Sequence, residues 1–406
     1  MPSSAWCAVS TTSAPPARPS RGGSPATAVR RRSARPSPTW TTCRCPTRTP
    51  TSTWTTTRPT RSAARSATAS ARSEQLTQSP RAYGMAVMKA VAPGRVNLIG
   101  DHTDYTGGFV LPMAIDRRTV IEFEPVGSAV PTELTSDDTS DPEWRRYPEA
   151  VADEMRDAGM PVRNVRAHVT TTIPVGAGLS SSAALEIASA LALGFDGTAA
   201  ELAQLTRRAE HRATGVPTGI MDQLCIASAR EGHATLIDCR SLGVTHVPVP
   251  VDVKFVVRFV AHRTLQGSEY ADRVAQCAEI EQRIGPLRDA DIHDVTSLGD
   301  DVLVRRARHV VTENARVLEF AAALGAGDFA TAGRLMTDGH RSLSEDYGTS
   351  TTVMDAAVDA LVASPGILGA RMTGGGFGGC VVAMCEPDAD VDGWVVRPVG
   401  AASLAD

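Results

Sequence analysis

From Met85 onward the sequence predicts an α/β fold, and three observations lead there. Short apolar segments of strand length alternate with longer helical patterns. Glycine-rich stretches stand at several of the junctions between them. The chain has 406 residues, 42% of them hydrophobic, enough for one large or two ordinary domains.

Residues 1–84 stand apart from that pattern. They hold 13 Arg and 30 Ser or Thr against one acidic residue (Glu74) and one Leu (Leu76), with no Ile or Phe, so no apolar face runs through them. They read as a disordered low-complexity tail. An organelle transit peptide and a nucleic-acid-binding arm are two functional explanations. The third is favoured here: only Lys89 and Lys254 are lysines among 41 basic residues, which suggests GC-rich coding DNA. Out-of-frame reading of such DNA yields Arg, Ser, Pro, Thr and Ala, so the expected start is Met85 or Met88. The remainder carries 28 basic and 44 acidic residues, so the small overall net charge of −4 hides a basic tail and an acidic body.

The folded part opens with MAVMKAVAP, read as a short strand, followed by GRVNLIGDHTDYTGGFVLP (Gly94–Pro112). Arg95, Asp101, His102, Asp104 and Tyr105 lie there between apolar runs. The cluster either faces a shared pocket or forms a solvated turn bent at Gly107 and Gly108. Next, TTTIPVGAGLSSSAALEIASALALG (Thr170–Gly194) reads as a strand end, a loop with Gly176 and Gly178, three serines and an apolar helix. Backbone N–H groups at a helix start, the helix dipole and hydroxyls make an anion site; a serine-capped helix behind a turn has the same pattern. No lysine accompanies the loop, which excludes a Walker A motif.

Further on, RRAEHRATGVPTGIMDQLCIA (Arg207–Ala227) places Glu210 near the end of a helical pattern and Asp222 among apolar residues. A carboxylate in such surroundings needs a partner or a function. One carboxylate can take a proton from a hydroxyl and another can hold Mg²⁺ on nucleotide phosphates, whereas a helix cap or structural ion pair would account for Asp222 equally well. ARMTGGGFGGCVVAMCEP (Ala370–Pro387) adds five glycines before a buried strand, CVVAMC; because they precede a strand, they are not a dinucleotide-binding fingerprint.

Taken together and in this order, the four segments resemble the GHMP small-molecule kinases, and within that family the galactokinases, over roughly Ala86 to Cys385. The resemblance implies a two-lobed α/β fold with the active site between an N-terminal lobe (85–245) and a C-terminal lobe (246–406). It implies ATP-dependent phosphorylation of the anomeric hydroxyl of galactose, with Mg²⁺. Asp222 would take the sugar's proton and Arg95 would orient it. Asp101, His102, Asp104, Gly219 and Tyr270 would bind the sugar. Gly176, Gly178, Ser180, Ser181 and Ser182 would bind ATP phosphates, and Ser182 with Glu210 would hold the metal. The adenine pocket has no sharp mark, and Trp144 reads as core rather than as a stacking partner. Another hexose as substrate, and a catalytically silent sugar sensor, are the alternatives.

Three departures from the family pattern stand out. Asp101 occupies a position where the galactokinases carry Glu, one methylene longer. The segment after CEPDADVD lacks the amphipathic helix expected before the last strand, which would expose sheet or call for another chain, and the stretch between Ala114 and Thr170 is compact. The tail has no counterpart. Galactose and ATP are the expected partners, without nucleic acid or membrane; a monomer is expected, with a homo-oligomer as the alternative. Eight cysteines without any CxxC pair read as reduced thiols of a cytoplasmic protein. The apolar run at Ala183–Leu193, broken by Glu186 and Ser189, is shorter than the roughly 18 to 20 residues a membrane span needs.

Overall fold

The computed structural model describes residues 87–138, 141–262 and 268–405. The expectations for residues 1–84 lie outside them.

In chain order the N-terminal half holds β1 (Met88–Asn97), a 3-10 turn (Asp104–Thr106), β2 (Phe109–Val110), β3 (Pro112–Pro125), β4 (Glu133–Ser136), α1 (Arg146–Asp157) and β5 (Val165–Thr171). Then come α2 (Ser181–Ala192), α3 (Ala199–Thr214), α4 (Met221–Ser228), β6 (His233–Asp238) and β7 (Gly243–Pro248). The rest comprises β8 (Lys254–Ala261), α5 (Ser268–Ile284), α6 (Ile292–Ser297), α7 (Asp301–Ala326), α8 (Phe329–Ser342) with a π-helical turn at Leu343–Tyr347, α9 (Thr352–Val362), β9 (Ile367–Thr373), β10 (Gly379–Cys385), β11 (Trp394–Val396) and β12 (Ser403–Ala405).

Three sheets result, ordered β12-β1-β3-β5-β4, β11-β8-β10-β9 and β2-β6-β7. The strand expected at MAVMKAVAP runs on through GRVN, with its register against β3 shifting between Pro93 and Gly94. That bulge re-aims the end of β1. Gly94 is required there, because a Cβ would lie 2.8 Å from the Leu179 carbonyl of the loop before α2. The following amide, Arg95 N, donates to that same carbonyl at 3.2 Å.

The apolar run after the three serines is α2. Its Ala183, Ala184, Ile187 and Ala188 are fully buried against the first sheet, and the small side chains let helix and strands approach closely. Behind it, α3 begins with a reciprocal capping box between Thr198 and Glu201 and ends at Gly215 in the left-handed region, φ 70°. Such a cap contributes about 1 kcal/mol. One apolar core runs from the first sheet through α2 to Phe320 of α7, Leu335 of α8 and Val382 of β10. The opposite face of the second sheet packs, through Val381, Ala383 and Met372, on α5, α7 and α9. CVVAMC is indeed a wholly buried strand, β10.

The boundary expected near residue 245 falls inside β7, and β12 brings the chain end back to β1. Among the described residues no helix lies between β10 and β12, in line with the sequence. β11 instead extends the second sheet on β8; Val396 is buried, the Arg117 guanidinium lies 4.6 Å from the Trp394 ring centre, and Val395 stays exposed. The five described cysteines are free and buried, and no described helix is long and apolar enough to cross a membrane.

Candidate active site

The four motif segments converge on one cleft of about 540 Å³. The end of β1 supplies Arg95, and the loop after it supplies Asp101, His102 and Asp104. The loop before α2 and its first turn supply Gly176, Gly178, Ser180, Ser181 and Ser182. α3 contributes Glu210, the α3–α4 connection and the start of α4 contribute Thr218, Gly219, Asp222 and Gln223, and α5 contributes Tyr270. Gly374–Phe377 close the remaining side. Every site residue expected from the sequence lines this cleft.

At its centre Arg95 grips Asp222 with two parallel hydrogen bonds, Nε to Oδ1 and Nη2 to Oδ2, both 2.7 Å. This fork-on-fork geometry fixes a carboxylate in plane as well as in position. The third guanidinium nitrogen, Nη1, donates to the Gly178 carbonyl at 2.7 Å, so the same arginine ties Asp222 to the loop before α2. Ser180 Oγ donates to Asp222 Oδ2 at 2.5 Å. Asp222 is therefore ion-paired, yet its side chain remains 26% exposed toward the cleft while Arg95 is at 5%.

A second polar node lies beside α2. Ser182 Oγ donates to Glu210 Oε1 at 2.8 Å, and Glu210 Oε2 accepts from Thr218 Oγ1 and Gln223 Nε2, each at 2.9 Å. Thr218 and Gln223 were missed by the sequence reading, although both are polar residues within the quoted VPTGIMDQ. Glu186, one turn along α2 from Ser182, is fully buried; burial and the Glu210 charge push its carboxyl well above the ordinary range. A hydroxyl beside a carboxylate is an all-oxygen donor set that suits Mg²⁺, which takes few protein ligands and keeps phosphate and water oxygens.

In the first loop Asp101 and His102 are buried and Asp104 and Tyr105 half-buried, rather than solvated. Asp104 lies against Gly219 so closely that a Cβ there would overlap the carboxylate, which makes glycine obligatory. Burial and the nearby Asp222 charge push Asp104 up to about 6, against the pull of backbone N–H groups of Met221 at the start of α4 and of Tyr105 and Asp104 in its own turn. The Gly219 backbone also hydrogen-bonds Tyr270, whose phenol is held well above its ordinary value by burial and by the Asp104 charge.

Asp101 is 1% exposed, and both its oxygens are engaged: Oδ2 accepts from Arg371 Nη2 at 2.7 Å and Oδ1 from the Gly374 amide at 3.0 Å. It thus ties the first motif to the third. Arg371 also donates to Glu313 Oε1 at 2.9 Å, and that oxygen accepts from the Gly100 amide at 3.0 Å.

Three of the four described non-glycine residues with positive φ line the cleft: His102 (66°), Ser180 (61°) and Phe377 (59°). Each such conformation costs of order 1 kcal/mol and persists where the surroundings impose it. A narrower slot of about 90 Å³ adjoins the cleft, sharing Tyr147, Val175, Ser181 and Ser182 with it, and is walled by Trp144, Val169, Thr171 and Leu185. Trp144 packs partly against the core, as expected, and also forms this wall.

Comparison with known proteins agrees with the geometry. Residues 81–125 match the family described as the galactokinase galactose-binding signature, residues 146–230 the GHMP kinases N-terminal domain, and residues 320–393 the GHMP kinases C-terminal region. Galactokinase of Bos taurus is 42% identical over 329 residues, covering 73% of this chain and 83% of the relative. Galactokinase of Chloroflexus aurantiacus is 41% identical, covering 76% and 88%. The crystal structure of Lactococcus lactis galactokinase complexed with galactose superposes with a TM-score of 0.74 at 29% identity, covering 78% of this chain and 95% of that one. A Methanococcus jannaschii mevalonate kinase shares the fold, with a TM-score of 0.55 at 20% identity and 79% and 100% coverage.

Proposed function

The chain belongs to the galactokinases, ATP-dependent sugar kinases of the GHMP family, and from that premise we propose that its cleft transfers the terminal phosphoryl group of ATP to the anomeric hydroxyl of galactose, giving galactose 1-phosphate. The observation that carries the assignment of roles is the Arg95–Asp222 fork, with a quarter of the Asp222 side chain open to the cleft between the sugar loop and the α2 loop. Asp222 accepts the hydroxyl proton as the nucleophile attacks. Arg95 holds its carboxylate in place and offsets the negative charge that builds up. Phosphoryl transfer asks for little beyond such positioning and charge compensation.

Asp104, His102, Gly219 and Tyr270 hold the sugar, with the Asp104 carboxylate able to accept two hydroxyl protons. The loop amides at Gly176 and Gly178, together with Ser181 and Ser182 at the start of α2, hold phosphates, and the base lies in the slot beside Trp144 and Tyr147. Mg²⁺, held by Ser182 and Glu210, would neutralise phosphate charge. The buried free cysteines support the reducing cytoplasm as the working compartment.

The test is ADP release by the full chain with ATP and Mg²⁺ over galactose, glucose, N-acetylgalactosamine, arabinose and 6-deoxygalactose. Preference for galactose supports the proposal, and turnover of none of these sugars by a folded, ATP-binding protein sinks it. Asp101 sets the finer outcome: with both oxygens engaged by Arg371 and Gly374, it favours comparable use of galactose and 6-deoxygalactose.

A further inference from the structure

One chain of polar atoms runs from the cleft into the protein. His102 Nδ1 lies 3.1 Å from the Tyr105 hydroxyl, which lies 2.5 Å from the Tyr347 hydroxyl, which lies 3.2 Å from Cys277 Sγ. The rings stack around it: Tyr347 is 4.9 Å from His102 and 4.6 Å from His309, centre to centre. Tyr347 is fully buried at the end of the π-helical turn, a local departure from α-helix that recurs at functional sites. Arg273 pins its backbone by donating to the carbonyls of Tyr347 and Gly348, both at 2.9 Å.

Hydrogen bonds along such a chain point one way, and the stronger terminal acceptor sets the direction. An imidazole nitrogen is a good acceptor and a thiol sulfur a poor one. The favoured order is therefore Cys277 S–H to Tyr347, Tyr347 O–H to Tyr105, and Tyr105 O–H to His102 Nδ1. Burial keeps both phenols protonated by pushing them well above their ordinary values. A His102 ring that accepts at Nδ1 carries its proton at Nε2.

We propose that Tyr105 and Tyr347 are positioning residues that hold His102 as its Nε2–H tautomer, so that the pocket offers the sugar a hydrogen-bond donor alongside the accepting carboxylate of Asp104. The sugar part of this statement rests on the galactose assignment of the cleft; the tautomer part does not.

Long-range nitrogen–proton correlation NMR on the full chain labelled at histidine nitrogens, at pH 8 and with the His102 signals identified by their loss in His102→Asn, reads the tautomer directly. The expected result is Nε2–H. Tyr105→Phe removes the donor to Nδ1 and should shift His102 toward the other tautomer. It should also raise the galactose KM by about fivefold or more, with kcat and the ATP KM within about twofold. Tyr347→Phe should do the same to a smaller extent with an unchanged melting temperature, and it decides the matter if Tyr105→Phe fails to fold. An Nδ1–H wild type, or variants that lose kcat, ATP affinity and melting temperature together, overturns the proposal. A wild type that turns over no sugar removes the galactose assignment and leaves the tautomer result standing.

Discussion

Two arginine–carboxylate clusters hold the first motif in place, and they differ most in exposure. Arg95 meets Asp222 across 127 residues, and Arg371 meets Asp101 across 270, each with a 2.7 Å contact. In the second cluster Arg371, Asp101 and Glu313 are all 0 or 1% exposed, and Arg316 adds a further positive charge at Glu313. Glu313 titrates below the ordinary range, its burial outweighed by Arg371 and Arg316. Backbone amides of Gly100 and Gly374 occupy the same carboxylates. Such a sealed cluster sets where the first-motif loop stands relative to the third glycine loop. The first cluster leaves a quarter of the Asp222 side chain open to the cleft, the opening that the proposed chemistry requires.

The comparison breaks most readily at its working end. Asp222→Asn should lower kcat by about 10²- to 10⁴-fold while the melting temperature moves less, because the amide oxygen still accepts from the buried Arg95 and the side chain borders the cleft. A coupled ADP assay beside thermal unfolding reads both, and an active variant removes Asp222 from the chemistry. At the sealed end the pattern should invert. Arg371→Met leaves the buried Asp101 without its arginine and takes one of two arginines from Glu313, and should cost about 3–5 kcal/mol of stability, measured by denaturant unfolding. Stability close to that of the unmodified protein would show that the cluster is not the frame described here.

This contrast also marks what was legible in the sequence. The half around Asp222 was readable because its residues sit in short local motifs: Arg95, Asp104 and Asp222 stand near glycines or apolar runs, Glu210 stands near the end of a helical pattern, and all line the cleft. The frame was not, because Glu313 and Tyr347 lie in helical stretches with no local mark, and their partners are 58 and 242 residues away. Asp101 was read as a sugar ligand one methylene short, whereas its oxygens engage Arg371 and Gly374, an arrangement that depends on the docking of β9. The slot beside the cleft was invisible for the same reason: Trp144 and Tyr147 come from one segment and Thr171 and Leu185 from others. Alternation of strands and helices predicted the fold class, whereas the return of β12 to β1 rests on three residues that carry no pattern.

Ser180 sharpens the boundary between the two kinds of contact. The sequence places it among phosphate ligands, whereas its hydroxyl bonds Asp222 and its backbone is held at φ 61°. If the hydroxyl serves Asp222, Ser180→Ala should lower kcat by roughly tenfold through loss of a charge-assisted hydrogen bond and leave the ATP KM nearly unchanged. A raised ATP KM with unchanged kcat would return Ser180 to the phosphates. Ser180→Gly removes the same hydroxyl and relieves the left-handed backbone, so it should match the alanine variant in rate and exceed it in stability.

The smallest effect concerns Asp104, which shares the cleft with Asp222 but is paired with no arginine. Burial and the Asp222 charge raise its carboxyl from 3.8 to about 6. The folded protein thus binds that proton more tightly than the unfolded chain does, and the resulting stabilisation is full below 3.8 and fades as pH rises through 6. At neutral pH the ionised carboxylate is a cost to the fold, in keeping with the sugar-binding role proposed for it. Galactose kcat/KM should fall about twofold on going from pH 7.5 to 6 as this group gains its proton, and more steeply below. Asp104→Asn should bind galactose poorly at every pH, abolish that limb of the profile and unfold less readily at pH 8. Retention of the limb in the asparagine variant would assign the proton elsewhere in the cleft.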